Sequence, residues 1–465
     1  MRSLKRAGLI CAVLLLPIPG SAVTDAWIDM AENESYTARH ECSFVQAGDK
    51  FYVFGGRENA QTLDTYDFAS NTWSTSASAP IPFNHFQATE FQGLIWVIGA
   101  FETNSFPNED PADSVYVFDP AHDVWMQGPD VPVARRRGSA GLVVHDDKFY
   151  VVAGNTIGHN GGYVNWFDEF DAQTGAWTVL ADAPESRDHF HAGLANGKLY
   201  ALGGRLSGGP GGTFAPLIAE VDVYDFASSS WSTLPQASDL PTPRAASAVA
   251  FFEGLIMVIG GEGNGQAYDT VEALDPLTNL WQTLAPLNFQ RHGTQAVVSG
   301  QGVYVTAGSP NQGGGNQRNM EVYNADLPSG AASVAGVLSA PLAALIPTGP
   351  PKPVAFDHVG GNQGVYVTEV SLSGADAGDF SINSSVADPF LILIGGHRDL
   401  YVQYSGSTEG ASAALDLSYS GGELISVPLT GTLVTPLPLG SAARWLLPLL
   451  LLGFGAARTR IRKPE

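Results

Sequence analysis

Cysteine is almost absent from this chain, which has two in 465 residues, Cys11 and Cys42. Cys11 lies inside an N-terminal apolar run, and its place after Ile10 does not fit an acylated lipoprotein site. Cys42 is then the one cysteine of the predicted mature chain, so an internal disulfide framework is excluded. We expect Cys42 to be a small, buried apolar residue on a strand.

Basic residues are also scarce. Lys and Arg total 23 against 46 Asp and Glu, which gives a formal charge of −23. Both ends of the chain are basic, so the part between them carries about −30. Such a body repels polyanions, and nucleic acid is therefore not an expected partner. The acidic residues form no Asp-rich loop with calcium-site spacing, and we interpret them as a solvated surface.

Apolar runs with the features of targeting segments occur at the two ends. Basic residues precede the run 9–17 and small residues follow it, which predicts a signal peptide over 1–22 cleaved after Ala22. Near the C-terminus the apolar run 445–457 is followed by a basic cluster. A helix of that length spans about 20 Å against about 30 Å of hydrocarbon. We predict an exported protein whose tail, 435–465, is a short membrane anchor or a sorting signal, with its basic end cytoplasmic.

The rest of the chain contains a repeat of about 50 residues. In each unit two small residues end an apolar strand, and in five of six units an arginine stands sixteen residues before the first of them. In five units an aspartate precedes a tryptophan by six residues. The small pairs are Gly55-Gly56, Gly99-Ala100, Ala153-Gly154, Gly203-Gly204, Gly260-Gly261 and Ala307-Gly308. The strand-opening residues are Arg39, Phe83, Arg137, Arg187, Arg244 and Arg291.

Each unit predicts four strands. Two runs rich in Val, Ile, Phe and Tyr, broken by a short polar turn, predict a hairpin. A third run alternates as a half-exposed strand does, and the tryptophan marks a fourth. Four strands in a 50-residue unit with a Gly-rich turn are typical of a β-propeller blade. The glycines suit a crowded position near the axis, and the tryptophans suit the interface between blades.

The two ends of the repeat region are predicted to meet. The sixth unit lacks its tryptophan, while Trp27 precedes the first unit at the usual distance from the next strand-opening residue, Arg39. We therefore predict that the N-terminal segment supplies the outer strand of the last blade, which closes the ring and removes exposed edges. The blades are predicted near 39–73, 83–125, 137–177, 187–231, 244–281 and 291–324 plus 25–30.

The repeat resembles that of the kelch family, in which Gly-Gly follows an apolar strand and a Tyr-Asp-like strand end precedes a tryptophan. The resemblance covers all six units. The second unit departs from it with Phe83 and Gly99-Ala100, and the sixth lacks the tryptophan. The resemblance implies an all-β fold with a six-bladed kelch propeller over 23–328.

A second domain is predicted after the repeats. Residues 329–353 are rich in proline and small residues and predict a linker. Short alternating strands over 354–434 predict a small β-sandwich. Its segments 378–382, 400–404 and 429–431 resemble the Ig-like module of the abnormal-spindle/hydin type. The tail resembles the PEP-CTERM class of sorting signals, although Pro-Leu-Pro-Leu stands at 436–439 in place of the Pro-Glu-Pro signature.

Candidate ligand-binding residues lie on one face of the predicted propeller. The strand-opening positions share this face with the long loops 101–114, 155–166, 205–220 and 309–319, and kelch propellers bind ligands there. The candidates are Arg39, His40, His85, Arg137, Arg187, His189, Arg244, Arg291 and His292. The arginines either form a basic ring for an anionic or polyhydroxylated ligand, such as a sugar acid or an acidic peptide, or bond carbonyls of neighbouring blades.

No catalytic residue, metal site or cofactor is predicted. The histidines fall on different blades without short ligand spacing, which counts against a metal. Galactose oxidase shares the kelch architecture but needs a thioether-linked cysteine beside copper, for which Cys42 alone is available, and a capping domain that is absent here. The carboxylates of Glu109, Asp110, Asp168 and Glu169 lie in or near the long loops, but the sequence does not bring them together.

The predicted function is recognition. We expect an exported protein attached to the bacterial envelope whose propeller binds a protein or carbohydrate ligand, with the membrane or envelope engaged by the tail. The alternative is a periplasmic sugar-acid mutarotase-like enzyme, because the bacterial sialic-acid mutarotase is also an exported six-bladed kelch protein.

Overall fold

The computed structural model describes residues 24–30, 35–324, 327–384 and 388–434. Regular structure in these residues is almost entirely β-strand. The exceptions are four short 3-10 turns, Val133–Arg135, Gln236–Ser238, Ala377–Asp379 and Ser420–Gly422. No helix in these ranges has the length and hydropathy needed to cross a membrane. The predicted signal peptide 1–22 and the tail 435–465 lie outside the described residues.

The repeat region forms six four-stranded antiparallel sheets, numbered here in chain order. Sheet 1 contains Cys42–Ala47, Lys50–Gly55, Leu63–Asp67 and Thr72–Ser76. Sheet 2 contains Ala88–Phe91, Leu94–Val97, Ser114–Asp119 and Val124–Asp130. Sheet 3 contains Gly141–His145, Lys148–Asn155, Tyr163–Asp171 and Ala176–Val179. In each of these three sheets the strands pair in chain order, as a meander does.

The other three sheets repeat this arrangement. Sheet 4 contains Ala192–Ala195, Lys198–Ala201, Asp222–Asp225 and Ser230–Thr233. Sheet 5 contains Ala248–Phe252, Leu255–Ile259, Val271–Asp275 and Leu280–Thr283, with a small ribbon, Glu262–Gly263 and Gln266–Ala267, between its middle strands. Sheet 6 contains Ala296–Ser299, Gly302–Val305 and Met320–Tyr323, and its fourth strand is Trp27–Met30.

The two ends of the repeat region meet in sheet 6. Trp27 pairs with Tyr323, and Met30 pairs with Met320, in an antiparallel register. This is the pairing that the position of Trp27 predicts. The first strands of sheets 1 to 6 contact one another in order, and the first strand of sheet 6 contacts that of sheet 1. The contacts therefore run around a closed cycle.

Backbone hydrogen bonds join successive sheets at the small-residue pairs. In five sheets the amide of the second small residue donates to the carbonyl of the strand-opening residue of the next sheet. These bonds are Gly56 to Phe83 (2.7 Å), Gly154 to Arg187 (2.8 Å), Gly204 to Arg244 (2.9 Å), Gly261 to Arg291 (2.8 Å) and Gly308 to Arg39 (2.8 Å). A side chain at the pair would meet this carbonyl, since a Cβ at Gly203 would lie 2.6 Å from the Arg244 oxygen. At Gly203 the close approach of two backbones therefore favours glycine, while sheets 3 and 6 have Ala153 and Ala307 at the same position.

The tryptophans and aspartates of the repeat form different kinds of hydrogen bond. In four sheets the tryptophan Nε1 donates to a carbonyl in the segment that follows the last strand of the preceding sheet. These bonds are Trp125 to Ala77, Trp231 to Ala181, Trp281 to Ser238 and Trp27 to Ala285, at 2.8–3.0 Å. The aspartate at the end of the third strand accepts from the backbone of the following turn, as Asp225 does from Ala227 at 2.9 Å. The fixed spacing of aspartate and tryptophan therefore combines a hydrogen bond that stabilises a turn with a hydrogen bond to the preceding repeat unit.

Apolar clusters fill the spaces between adjacent sheets. Between sheets 6 and 1, for example, Phe44 and Phe51 pack with Tyr304 and Val322. Cys42 belongs to this cluster, is 2% exposed and forms no disulfide. This confirms the prediction that Cys42 is a small buried residue on a strand. Burial raises the pKa of its thiol to about 12.

The C-terminal residues form two further sheets that enclose their own apolar core. One sheet has the order Val337–Ser339, Lys352–Gly360, His397–Tyr404 and Phe380–Ile382. The other has the order Ala344–Pro347, Glu423–Thr432, Ser412–Tyr419, Val365–Ser373 and Phe390–Ile392. Two of these strands fall inside 329–353, which the sequence predicts as a linker. The sheets therefore begin before residue 354.

This C-terminal unit packs on the face of the repeat region that carries the hairpin turns. Tyr366 is fully buried and its ring lies 5.5 Å from that of Trp96 in sheet 2. The Gln363 side chain donates to the Gly93 carbonyl at 2.9 Å, and the Gln92 side chain accepts from the Ile394 amide at 2.8 Å. Because the hairpin turns and the long loops lie at opposite ends of each meander, the long-loop face remains clear of these contacts.

Candidate functional site

The five strand-opening arginines lie inside the sheets. Arg39, Arg137, Arg187, Arg244 and Arg291 are at most 2% exposed. Each forms an ion pair with a carboxylate on the third strand of its own sheet. The partners, in the same order, are Asp64, Asp168, Asp222, Glu272 and Glu321. Burial lowers the pKa of the Arg137 guanidinium to about 10, against the opposing effect of Asp168.

The remaining guanidinium donors bond backbone carbonyls. Arg187 Nη1 lies 3.1 Å from the Ala201 oxygen and 2.9 Å from the Gly203 oxygen, and its Nη2 lies 2.7 Å from Asp222. Arg291 bonds the Ala307 oxygen in the same way at 2.8 Å. These carbonyls belong to the arginine's own sheet, which corrects the expectation that they belong to neighbouring blades. The arginines therefore tie the first strand of a sheet to its second and third strands.

Sheet 2 replaces this ion pair by an aromatic pair. Phe83 stands where the other sheets have arginine, and Tyr116 stands where they have the carboxylate, three residues before the strand-ending Asp119. The two rings lie 5.1 Å apart in an edge-on arrangement. Sheet 2 thus lacks both the arginine and its carboxylate partner, so the two residues of the ion pair are replaced together. This correlation is visible in the sequence and indicates a structural role for the arginines.

A cavity of about 320 Å³ opens on the long-loop face at the centre of the ring. Every sheet contributes to it. Its lining residues are His40, Glu41 and Arg57 from sheet 1, His85, Asn104 and Phe106 from sheet 2, His159 from sheet 3, Arg205 and Phe214 from sheet 4, Glu262 from sheet 5 and Gly313 from sheet 6. A smaller space of about 20 Å³ lies along the axis and is lined by residues that include His85, His189 and His191.

The predicted site residues divide between these two environments. His40 and His85 line the outer cavity, His189 lines the inner space, and His292 lies buried beside Glu262. Among the described residues that line either space, the five strand-opening arginines do not occur. The structure therefore brings the four histidines together and places the arginines elsewhere.

A repeated backbone conformation directs residues toward the axis. The residue two positions after each strand-opening residue has a positive φ in all six sheets. These residues are Glu41 (φ 56°), His85 (49°), Ser139 (52°), His189 (51°), Ala246 (50°) and Gly293 (69°). Left-handed backbone costs about 1 kcal/mol or more for a residue with a side chain. Backbone hydrogen bonds between sheets hold it, as from the His85 amide to the Glu41 carbonyl at 3.0 Å.

The cavity has more acidic than basic side chains in and beside its lining. Arg57 pairs with Glu109, and Arg205 pairs with Glu262. Glu41 also lines the cavity, and Glu58 lies beside it, 3.0 Å from the ring of His40. Two arginines and the nearby His292 thus face four glutamates. The cavity is not the basic ring expected from the sequence, because the strand-opening arginines are buried and neutralised within the sheets.

Glu41 and His292 form a buried pair beside this cavity. His292 Nε2 lies 3.3 Å from Glu41 and 3.4 Å from Glu262. Burial alone would lower the pKa of His292, but the two carboxylates outweigh it and raise this pKa. Burial opposes ionisation of Glu41, yet His292 and other cations bring its pKa down to about 2. His292 and Glu41 therefore stabilise each other in their charged forms.

Three histidines meet between the outer cavity and the inner space. The rings of His85, His159 and His189 are 4.6–5.0 Å apart, and one ligand nitrogen of each lies within 4.8 Å of the others. Burial, reinforced by neighbouring arginines and histidines, holds the pKa of His85 and His189 well below the usual range. Burial also raises the pKa of Asp188, which contacts His189, although Arg205 and several hydrogen-bond donors oppose it.

His159, Arg57, Arg205, Glu41 and Glu262 are site residues that the sequence did not predict. A signal for most of them was present in the repeat. Arg57, Arg205 and Glu262 directly follow the small-residue pair, and Glu41 stands two residues after the strand-opening arginine. These positions vary from unit to unit, while their neighbours repeat. His159 lies in an irregular loop, and its place near the axis follows from tertiary structure alone.

Comparisons with known proteins agree with this architecture. Residues 127–308 match the model of the KLHDC2/KLHL20/DRC7 Kelch-repeats domain. Kelch-like protein terF of Aspergillus terreus is 30% identical over 298 residues, which cover 61% of this chain and 63% of that protein. Human Kelch-like protein 23 is 22% identical over 287 residues, covering 60% of this chain and 47% of that protein. This chain thus spans less than two thirds of these relatives.

A solved structure has the same fold. The structure of YjhT superposes with a TM-score of 0.53 at 14% sequence identity, covering 62% of this chain and 95% of that one. Beta-scruin of Limulus polyphemus is 25% identical over 283 residues, covering 59% of this chain and 25% of that protein. A kelch-repeat β-propeller is therefore the fold that the repeats, the sheets and the comparisons support for this chain.

Proposed function

We propose that this chain is a recognition module that binds a protein ligand in the axial cavity of a six-bladed propeller. Kelch-repeat proteins generally act as protein-interaction modules. The observation that carries the proposal is that all six sheets contribute residues to one cavity on the long-loop face. The closed cycle of contacts between first strands supports a single six-bladed ring. The two facing C-terminal sheets support an Ig-like sandwich that packs away from the cavity.

The cavity chemistry favours a ligand with polar groups and an apolar part. A volume of about 320 Å³ admits a chain end or one or two side chains of a partner rather than a folded surface. Phe106 is 60% exposed at the rim, 5.0 Å from the ring of His159. Phe214 lies 5.0 Å from the Arg205 guanidinium on another side. Exposed aromatic rings beside buried polar groups are common anchors in recognition sites.

Phe106 provides the test of this proposal. We expect Phe106→Ala to weaken binding of a selected peptide at least 10-fold, because a ring that a partner covers contributes more than about 1.4 kcal/mol. Ligands would be selected from peptide-display and glycan libraries against the full chain, and affinity measured by calorimetry. Phe251→Ala is the matched control, since Phe251 is 38% exposed beside the hairpin turn of sheet 5, on the opposite face.

Three results would count against this assignment. A ligand that binds both variants equally would place recognition outside the cavity. Selection of glycans without peptides would replace the protein ligand by a carbohydrate. Accelerated anomer exchange of a sugar acid by the full chain would favour the mutarotase-like alternative over recognition.

We also propose that the protein is exported and attached to the cell envelope. Support comes from the sequence of residues 1–22 and 435–465, which have the patterns of a signal peptide and of an anchor or sorting signal. The full chain is expected in the envelope fraction of a bacterial host, and a version ending at residue 434 is expected in the soluble exported fraction. Retention of both versions in the cytoplasm would contradict export, and equal envelope association would contradict the role of the tail.

A further inference from the structure

The nitrogen atoms of three buried histidines converge at the floor of the axial cavity. His159 Nε2 lies 3.2 Å from His189 Nε2. Two nitrogens bound to one tetrahedral zinc ion at about 2.0–2.1 Å each are separated by about 3.4 Å. The third nitrogen, from His85, lies within 4.8 Å of the other two. One ion would therefore contact all three after small rotations of the rings.

The other nitrogen of each ring faces an acceptor. His189 Nδ1 lies 2.5 Å from Asp188 Oδ1, and this carboxylate also accepts from the Ser207 hydroxyl at 2.6 Å. His85 Nδ1 lies 2.7 Å from Asn84 Oδ1. The Asn84 amide nitrogen donates to the Thr103 carbonyl at 2.8 Å, which orients the amide oxygen toward the histidine.

His159 also has a carboxylate beside its Nδ1. This atom lies 3.1 Å from Glu109 Oε2 without forming a hydrogen bond to it, and the carboxylate of Glu109 is paired with Arg57. The hydrogen bonds of His85 and His189 place the ring proton on Nδ1 and leave Nε2 with a lone pair. The three rings thus bring Nε2 of His159, Nε2 of His189 and one nitrogen of His85 to a common space.

His159 Nε2 and His189 Nε2 lie in contact, so either one of them carries a proton or a cation lies between them. A metal ion bound by both nitrogens satisfies this contact and reaches the third nitrogen, from His85, as well. Metal-bound histidines typically donate their second ring nitrogen to a carboxylate or an amide oxygen, as the partners here would accept. The acidic balance of the cavity, with two arginines and His292 against four glutamates, also favours a cation.

We propose that His85, His159 and His189 bind one divalent transition-metal ion, of the kind represented by Zn²⁺, with an open position toward the axial cavity. Three protein ligands and one open position are the arrangement of zinc sites that exchange a fourth ligand. Glu41, with its carboxylate 3.5 Å from His85 Nε2, lies beside that position. The site goes beyond the proposed recognition function and does not depend on it.

The test is a titration of metal-free full-length protein with Co²⁺, followed by displacement with Zn²⁺. We expect one equivalent to bind and to produce the visible absorption of cobalt coordinated by nitrogen in a low-coordinate site. His159→Ala is expected to lower Co²⁺ affinity more than the roughly 10–100-fold loss that removal of an outer partner causes. Asp188→Asn, which alters such a partner, is expected to fall within that range. His159 lies in a loop whose backbone amide bonds the Pro107 carbonyl at 2.7 Å, so this contact is retained without the side chain.

His40→Ala is the matched control. His40 lines the same cavity but lies outside the cluster, with its Nδ1 held by Glu58 at 3.0 Å. It should retain Co²⁺ binding and the same spectrum. Absence of stoichiometric binding to the wild-type chain overturns the proposal, and so does unchanged affinity in a folded His159→Ala variant. If that variant does not fold, X-ray absorption of the Zn²⁺-loaded wild-type protein tests the site instead. Three imidazole nitrogens bound to zinc would support the proposal, and a coordination shell without imidazole nitrogens would overturn it.

Discussion

Replacing Arg187 by methionine is expected to lower the free energy of unfolding by about 3–5 kcal/mol. The substitution leaves the carboxylate of Asp222, which is fully buried, without its ion-pair partner. It also removes the donors to the carbonyls of Ala201 and Gly203. Thermal and urea unfolding of the full chain would measure the change. The same result is expected for Arg291, whose partner Glu321 is also fully buried.

Lys198→Met is the control for this prediction, because it removes a positive charge from the same sheet. Lys198 pairs with Asp225 at 2.9 Å, but both side chains are substantially exposed, so a much smaller effect is expected. The double variant Arg187→Met with Asp222→Leu is expected to recover part of the loss, because it removes both buried charges. Normal stability of the Arg187 variant, together with weaker ligand binding, would restore the basic-ring interpretation.

Replacing Gly203 by alanine is expected to lower the free energy of unfolding by about 2–5 kcal/mol. Gly203 has a φ of +66°, and left-handed backbone accounts for about 1–2 kcal/mol of this with any side chain. The remainder arises because the new Cβ would lie 2.6 Å from the Arg244 carbonyl of sheet 5. That carbonyl accepts the hydrogen bond from Gly204 that joins the two sheets. Chemical denaturation would measure the loss.

Gly197→Ala separates the two contributions. Gly197 lies in the same sheet, between the first and second strands, and has a φ of +70°, but apart from Gly197 and its two chain neighbours no described atom lies within 4 Å of a Cβ built there. This variant should therefore show only the backbone contribution of about 1–2 kcal/mol. Equal losses in the two variants would mean that the approach of sheets 4 and 5 does not require glycine.

The arginines show how a repeat misleads about a binding site. They recur at a fixed offset, and the kelch resemblance places them on the ligand-binding face, so the sequence predicts them as binding residues. Their recurrence has a structural cause, since each of the five forms the same ion pair within its sheet. Residues that repeat serve contacts that every sheet must make. Arg57 and Glu262, at equivalent positions in different units, line the cavity because those positions are free to differ.

The histidines show the opposite case. The sequence predicts His85 and His189 as binding residues, but their distribution over different units counts against a common metal site. A closed ring brings equivalent positions of every unit to one axis, so residues separated by about 100 positions become neighbours. Spacing along the chain therefore carries little information about a site at the centre of a ring. His159 joins the cluster through a loop conformation that no repeat position specifies.

The repeat of arginine, small-residue pair, aspartate and tryptophan was sufficient to predict four strands per unit and the pairing of the N-terminal strand with the last unit. Those features depend on local turn chemistry, on strand periodicity and on contacts that recur between every pair of sheets. The cavity, its acidic balance, the meeting of three histidines and the packing of the C-terminal sheets on the hairpin-turn face were decided by tertiary structure. Each of these joins residues from different sheets, whose mutual distances depend on closure of the ring and on loop conformation rather than on any one segment.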